Sequence, residues 1–164
     1  MTTGKIGFAC KWIDRLDQCD GVGPKDDAKQ YNLAATTVAW LKRQTAAKAD
    51  DKLWELVRYN LSATKKLVER VGELDESLRM VRLGSDILPM YTEPTFGVFY
   101  SQPAVQEFCA KGFDEIGTVA RARGVRLSFH PGQFVVLASE SDVIQQRSIE
   151  EFEYHATMAR WMGY

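Results

Sequence analysis

Apolar positions along this chain fall into two alternating rhythms, short runs with a period near two and long stripes with 3-4 spacing. Residues 5–10 (KIGFAC) are short, apolar and followed by charge, and predict a first strand. Residues 14–35, rich in Asp, Gly and Lys around Gly21-Val22-Gly23-Pro24, predict a loop excursion. Thr36 or Thr37 is a fair N-cap for a helix over 38–44. A stronger helix follows over about 50–71, where Leu53, Leu56, Val57, Asn60, Leu61, Thr64, Leu67, Val68 and Val71 form one stripe that Gly72 ends. Residues 78–85 (LRMVRLGS) predict a second strand, with Val81 and Leu83 on one face and Met80, Arg82 and Gly84 on the other.

Residues 86–103 carry three prolines and several aromatics and predict a packed loop. A helix over about 102–123 presents Val105, Phe108, Cys109, Phe113, Ile116, Val119 and Ala120, and Gly124 closes it. Residues 125–130 (VRLSFH) predict a third strand, alternating Val125, Leu127 and Phe129 against Arg126, Ser128 and His130, stopped by Pro131-Gly132. A last helix over about 141–162 is expected to bury Ile149, Phe152, Ala156 and Ala159, with Gly163 as its C-cap. A further strand would come next.

Strands alternating with long helices imply an α/β fold with parallel pairing and helical crossovers. Two architectures compete, a doubly wound open sheet and a (β/α)8 barrel. The later strands each pair an apolar face with one carrying Arg82, or Ser128 and His130. That mixed face suits a TIM-type barrel with its chemistry in the βα loops. A barrel of about 250 residues needs eight units. The reading is therefore an incomplete barrel of about three βα units, residues 1–164 forming the N-terminal part of one truncated domain. A third strand left as an unpaired apolar edge brings a split gene or a complementary chain into that reading.

Composition changes the picture little. The chain is 45% hydrophobic and 26% charged with net charge −1, so any nucleic-acid contact needs a local basic patch. Three cysteines, Cys10, Cys19 and Cys109, form neither a CxxC pair nor an even disulfide set. The N-terminal apolar run is too short for a signal peptide, and no stretch of about 18 apolar residues suggests a membrane span. A soluble, cytoplasmic protein is the expectation.

Two segments carry candidate chemistry. RLSFHPGQF, residues 126–134, lifts His130 to the end of a buried strand on a rigid turn, where neutral imidazole is a good ligand for Zn2+ or Mn2+. Gln133 could hydrogen-bond base edges, and Phe134 could stack. The bland alternative, a histidine merely satisfied at a strand end, has even weight on these residues alone. RLGSDILPMYTEP, residues 82–94, places Asp86 past a strand end and Glu93 in a loop, as oxygen donors for a divalent ion or as ordinary solvated carboxylates. Arg82, on the presumed inner face, either pairs with one of these acids or contacts phosphate, and the structural pair is the favoured reading. His155, among Glu150, Glu151 and Glu153, reads as a surface residue, and Asn60 as a hydrogen-bonded core amide. Trp40, Trp54 and Trp161 read as core. Phe8 and Trp12 fit core or sheet mouth equally.

RLSFHPGQF and RLGSDILP, together with KIGFAC and RSIEEFEYHATMARWMG in the same order and spacing, resemble the UV-damage endonuclease family. The resemblance is weakest in residues 14–35. It implies a barrel holding a cluster of divalent metals, usually Mn2+ with Zn2+ or Mg2+ as alternatives, and nicking of double-stranded DNA immediately 5′ of UV photoproducts. On that resemblance His130 is a metal ligand. Glu93 stands where the family carries a ligand histidine, and Gln133-Phe134 where a Gln-Tyr pair probes the lesion. Phe8 stands where some members have a Tyr, and Trp12 where an Asn is expected. Most of the family's ligands have no counterpart in this sequence, which implies that activity needs additional polypeptide. A metal-dependent sugar isomerase or epimerase barrel, and a non-catalytic fragment dependent on a partner, are the competing readings.

Overall fold

The computed structural model of the 164-residue chain describes residues 4–13, 28–132 and 135–164. Three strands, β1 (Phe8–Ala9), β2 (Met80–Gly84) and β3 (Arg126–His130), form a parallel sheet in the order β1-β2-β3 among the described residues. Phe8 pairs with Val81, Val81 in turn with Leu127, and Gly84 with His130. Helices α1 (Val38–Leu41) and α2 (Ala46–Val71) connect β1 to β2, α3 (Pro103–Ala122) connects β2 to β3, and α4 (Asp142–Trp161) follows β3.

Local chemistry sets most boundaries. Thr37 caps α1 by accepting from the Trp40 amide at 3.2 Å. Thr45 does the same for α2 from the Lys48 amide at 3.4 Å, so α2 starts four residues earlier than its apolar stripe suggests. Pro103 opens α3, where its missing N–H costs no hydrogen bond. Gly124, at φ 63°, then turns the chain back towards β3. The first strand is shorter than residues 5–10 predict, because Cys10 adopts φ 65° and leaves the ladder. Hydrogen bonds from the Ile6 amide to Ser77 and from the Cys10 amide to Arg82 still hold the flanking chain to the β2 side.

The core lies on one face of the sheet. Val81 and Leu83 are buried there against the α2 stripe, including Leu53, Val57, Leu61, Val68 and Val71, and against Val105, Cys109, Phe113, Ile116 and Ala120 of α3. Phe8 and Trp12 pack against this core with Tyr31, and the Arg70 guanidinium lies 5.5 Å from the Trp12 ring centre. Burial in the same core pushes the Cys109 thiol up to about 12. On the opposite face Arg82 is exposed and Ser128 half-buried, so that face lies open.

Two expectations of helix packing fail. Trp40 is 36% exposed rather than in the core, because α1 is a single short turn with only Leu41 directed inward. On α4, Ile149 and Phe152 are 48% and 44% exposed, and Ala156 and Ala159 are half-buried. The buried stripe is Ser148, Tyr154, His155 and Met158, continued by Met162. Both sides of the helix are partly apolar, and hydrophobicity alone therefore selects the wrong face.

Candidate functional site

Parallel strands deliver their C-terminal ends to one edge, where Ala9, Gly84 and His130 finish. The chain after β2 makes a 3-10 turn, Ser85–Ile87, and folds back over α4. The buried Tyr154 hydroxyl accepts from the Leu88 amide at 3.0 Å and donates to the Ser85 carbonyl at 2.7 Å. Its ring stacks on Tyr91 at 4.5 Å, and Tyr100 donates to the Pro89 carbonyl at 2.7 Å. Burial raises the pKa of both Tyr100 and Tyr154, which keeps the two hydroxyls neutral donors. These contacts enclose one side of a cavity of about 930 Å3 lined by Asp86, Met90, Glu93, Gly132, Val135, Arg147 and Glu151, among others.

His130 is half-buried, and its Nδ1 lies 3.0 Å from the Pro131 carbonyl oxygen. A carbonyl only accepts, so Nδ1 donates, and in a neutral ring Nε2 would then keep a lone pair. That is the tautomer in which a histidine binds metal through Nε2 while its other nitrogen donates to a carbonyl. Glu93 is engaged differently. Its Oε2 accepts from the amides of Thr95 at 2.7 Å and Phe96 at 2.8 Å, closing a turn. Asp86 is exposed, and its backbone carbonyl accepts from Asn60 at 3.0 Å. Glu93 and Asp86 both line the cavity. Among the described residues no three His, Cys, Asp or Glu side chains group as a metal site. The described donors do not complete a metal centre.

Arg82 corrects its sequence reading. Its Nε donates to the Phe129 carbonyl at 3.2 Å, and it forms no ion pair with Asp86 or Glu93. The side chain crosses the open sheet face to a main-chain acceptor on the neighbouring strand. Gln133 and Phe134 lie outside the described residues, although Gly132 and Val135 on either side of them line the cavity. Phe8 shares the Val81 side of the sheet, and Trp12 contacts it at 5.4 Å between ring centres. Both are packed on the covered side rather than at the cavity.

His155 is the residue the sequence misplaces most. It is 5% exposed, with Nδ1 2.7 Å from the Glu151 carbonyl oxygen and Nε2 3.3 Å from the Ser85 hydroxyl. Its ring meets Phe129 at 5.4 Å. The surrounding acids suggest solvent, yet His155 keeps helical spacing with Ser148, Glu151 and Met158, and that stripe faces inward.

The family model described as UV-endonuclease UvdE matches residues 5–164. The UV DNA damage endonuclease of Bacillus velezensis is 29% identical over 127 residues, covering 77% of this chain and 38% of that protein. The "Putative UV-damage endonuclease" of Acanthamoeba polyphaga mimivirus is 34% identical over 160 residues, covering 98% of this chain and 43% of the viral protein. The crystal structure of SacUVDE superposes with a TM-score of 0.70 at 19% identity, covering 98% of this chain and 46% of that one. The chain thus spans less than half the length of these relatives, and the structural likeness supports the fold, an α/β arrangement around a parallel sheet. No helix among the described residues is long and apolar enough to cross a membrane. On the match across residues 5–164, the chain belongs to the UV-endonuclease UvdE family.

Proposed function

We propose that this chain forms the first part of a TIM-type barrel that nicks double-stranded DNA on the 5′ side of UV photoproducts by divalent-metal-assisted phosphodiester hydrolysis. The observation that carries the reading is the His130 imidazole. In a chain of this family it stands at the end of a parallel strand, with Nδ1 committed to Pro131 and Nε2 left as a donor atom for a metal. The open sheet face bearing Arg82 and Ser128 corresponds in this reading to the barrel interior.

His130 supplies one ligand, and Glu93 a second through Oε1 once the turn amides hold Oε2. A bound Mn2+ supplies a Lewis acid for charge developing on the phosphate. Gln133 and Phe134 contact the lesion, and Asp86 supports the site. The chain contains two histidines, and its described donors form no cluster, so further ligands come from additional polypeptide. A barrel that processes sugars uses similar donors but has no use for damaged DNA.

The test compares UV-irradiated and unirradiated duplexes of one sequence, with the chain alone and with the chain joined to further βα units of a family member. Preferential binding of the irradiated duplex, and Mn2+-dependent nicks mapped 5′ of the photoproduct for the completed protein, are expected. Equal affinity for both duplexes together with no nicking by the completed protein would refute the proposal.

A further inference from the structure

The buried His155 takes no part in the proposed chemistry, yet it sits behind the strand end that presents His130. Its Nδ1 faces the Glu151 carbonyl, an obligate acceptor, so that nitrogen carries a proton. Nε2 lies 3.3 Å from Ser85 Oγ. The same hydroxyl lies 2.8 Å from the carbonyl oxygen of His130. The hydroxyl therefore donates to the backbone of His130 while its oxygen rests against the imidazole of His155. Ser85 follows Gly84, the ladder partner of His130, and the Tyr154 hydroxyl holds its own carbonyl at 2.7 Å. Helix α4 thus reaches the His130–Pro131 peptide plane through a short path of fixed groups.

We propose that His155 is a positioning residue, acting through the Ser85 hydroxyl to hold the peptide plane from which the His130 ring projects. The ring's own bond to the Pro131 carbonyl spans that plane, so both acceptors must stay aligned for Nδ1 to keep its proton. When the plane is released, the imidazole leaves Pro131 and reverts to the Nε2–H form that a free histidine favours in water. That form presents no lone pair at Nε2. The functional meaning of the link rests on the ligand role proposed above, whereas the link itself does not.

The experiment reads tautomers by long-range 15N–1H NMR on the metal-free, full 164-residue chain. Only two imidazoles contribute, and His130→Ala assigns them. Wild type should show His130 predominantly as Nδ1–H. In Ser85→Ala and in His155→Phe the ratio of Nδ1–H to Nε2–H at His130 should fall several-fold. His155→Gln, whose amide can still meet Ser85 Oγ, should restore most of it. Circular dichroism establishes which variants are folded. If His155→Phe is not, Ser85→Ala decides, since it removes a single oxygen. A purely structural role for His155 predicts lower melting temperatures with an unchanged His130 pattern, and that result overturns the proposal. Mn2+ titration of the completed protein separates the two readings. Failure of Mn2+ to broaden the His130 signal of the completed protein removes the ligand role, while the metal-free ratios still judge the positioning role.

Discussion

Asn60 shows what a single buried amide can organise. Its Oδ1 accepts from the Ala34 amide at 2.8 Å, and its Nδ2 reaches the carbonyls of Ala34 and Asp86 at 3.0 Å and of Ile87 at 3.3 Å. One side chain on α2 therefore ties down both the approach to α1 and the turn after β2. Its place in an apolar stripe marks it as a core amide, but nothing in the sequence names partners so distant along the chain. Asn60→Leu keeps the volume and strands several buried polar groups, so urea unfolding should show a loss of at least about 2 kcal/mol. Tyr154→Phe removes the bonds to Ser85 and Leu88, with an expected cost of about 1–3 kcal/mol. The pH profile follows from the buried ionisable groups. Cys109 is raised from 9.0 to about 12, and Tyr154 is raised above its ordinary 10.0, each by burial. A raised folded pKa means that the native state binds more protons than the unfolded one. Stability is therefore intact below pH 9 and falls as pH climbs from 9 towards 12, by about 1.4 kcal/mol per pH unit for each titrating group. In Cys109→Ala the decline should begin nearer pH 10, readable from melting temperatures across that range.

Helix α4 and strand β1 mark where pattern reading succeeds and fails. The stripe of α2 is apolar on one side only and was legible along its length, because one hydrophobic face admits one orientation. Helix α4 has two partly apolar sides. The inward one includes Ser148 and His155, held by hydrogen bonds that no periodicity reveals, and the outward one displays Ile149 and Phe152. His130 was legible because a strand followed by Pro-Gly fixes where its last side chain stands. The role of Glu93 in a turn and the reach of Arg82 to Phe129 depend on loop paths and escaped the sequence. Two sets of substitutions test the packing of these helices. A Cβ at Gly117 would lie 2.0 Å from the Met162 carbonyl oxygen, so Gly117→Ala should force α3 and α4 apart and cost about 1–3 kcal/mol. Ile149→Ser and Phe152→Ser, on the outward side, should change stability by less than about 0.5 kcal/mol at dilutions where the chain is monomeric. A large loss at Phe152 under those conditions would show that its side chain packs within the chain.

At the scale of the whole molecule, the sheet is covered on one face, open on the other, and bounded by β3 among the described residues. The edge strand, and separately the exposed Ile149 and Phe152 of α4, invite association. Light scattering of the isolated chain should therefore show self-association that declines in the Phe152→Ser variant, whereas a monomer at all concentrations would contradict the expectation. For the completed enzyme, His130→Ala should lower Mn2+-dependent nicking by more than about a hundredfold, beyond the usual effect of losing a supporting residue. Activity near wild type would remove His130 from the metal centre. The parallel ladder has a further consequence, in time rather than in space. Roughly seventy residues separate Phe8 from its partner Val81, so no part of the sheet can form by local zippering. At ribosomal speeds of about 5–20 residues per second, the first strand waits several seconds for its neighbour to emerge. During that interval its apolar side chains have only nascent α2 to shelter them, which makes the nascent chain a natural client for chaperones that bind short hydrophobic stretches.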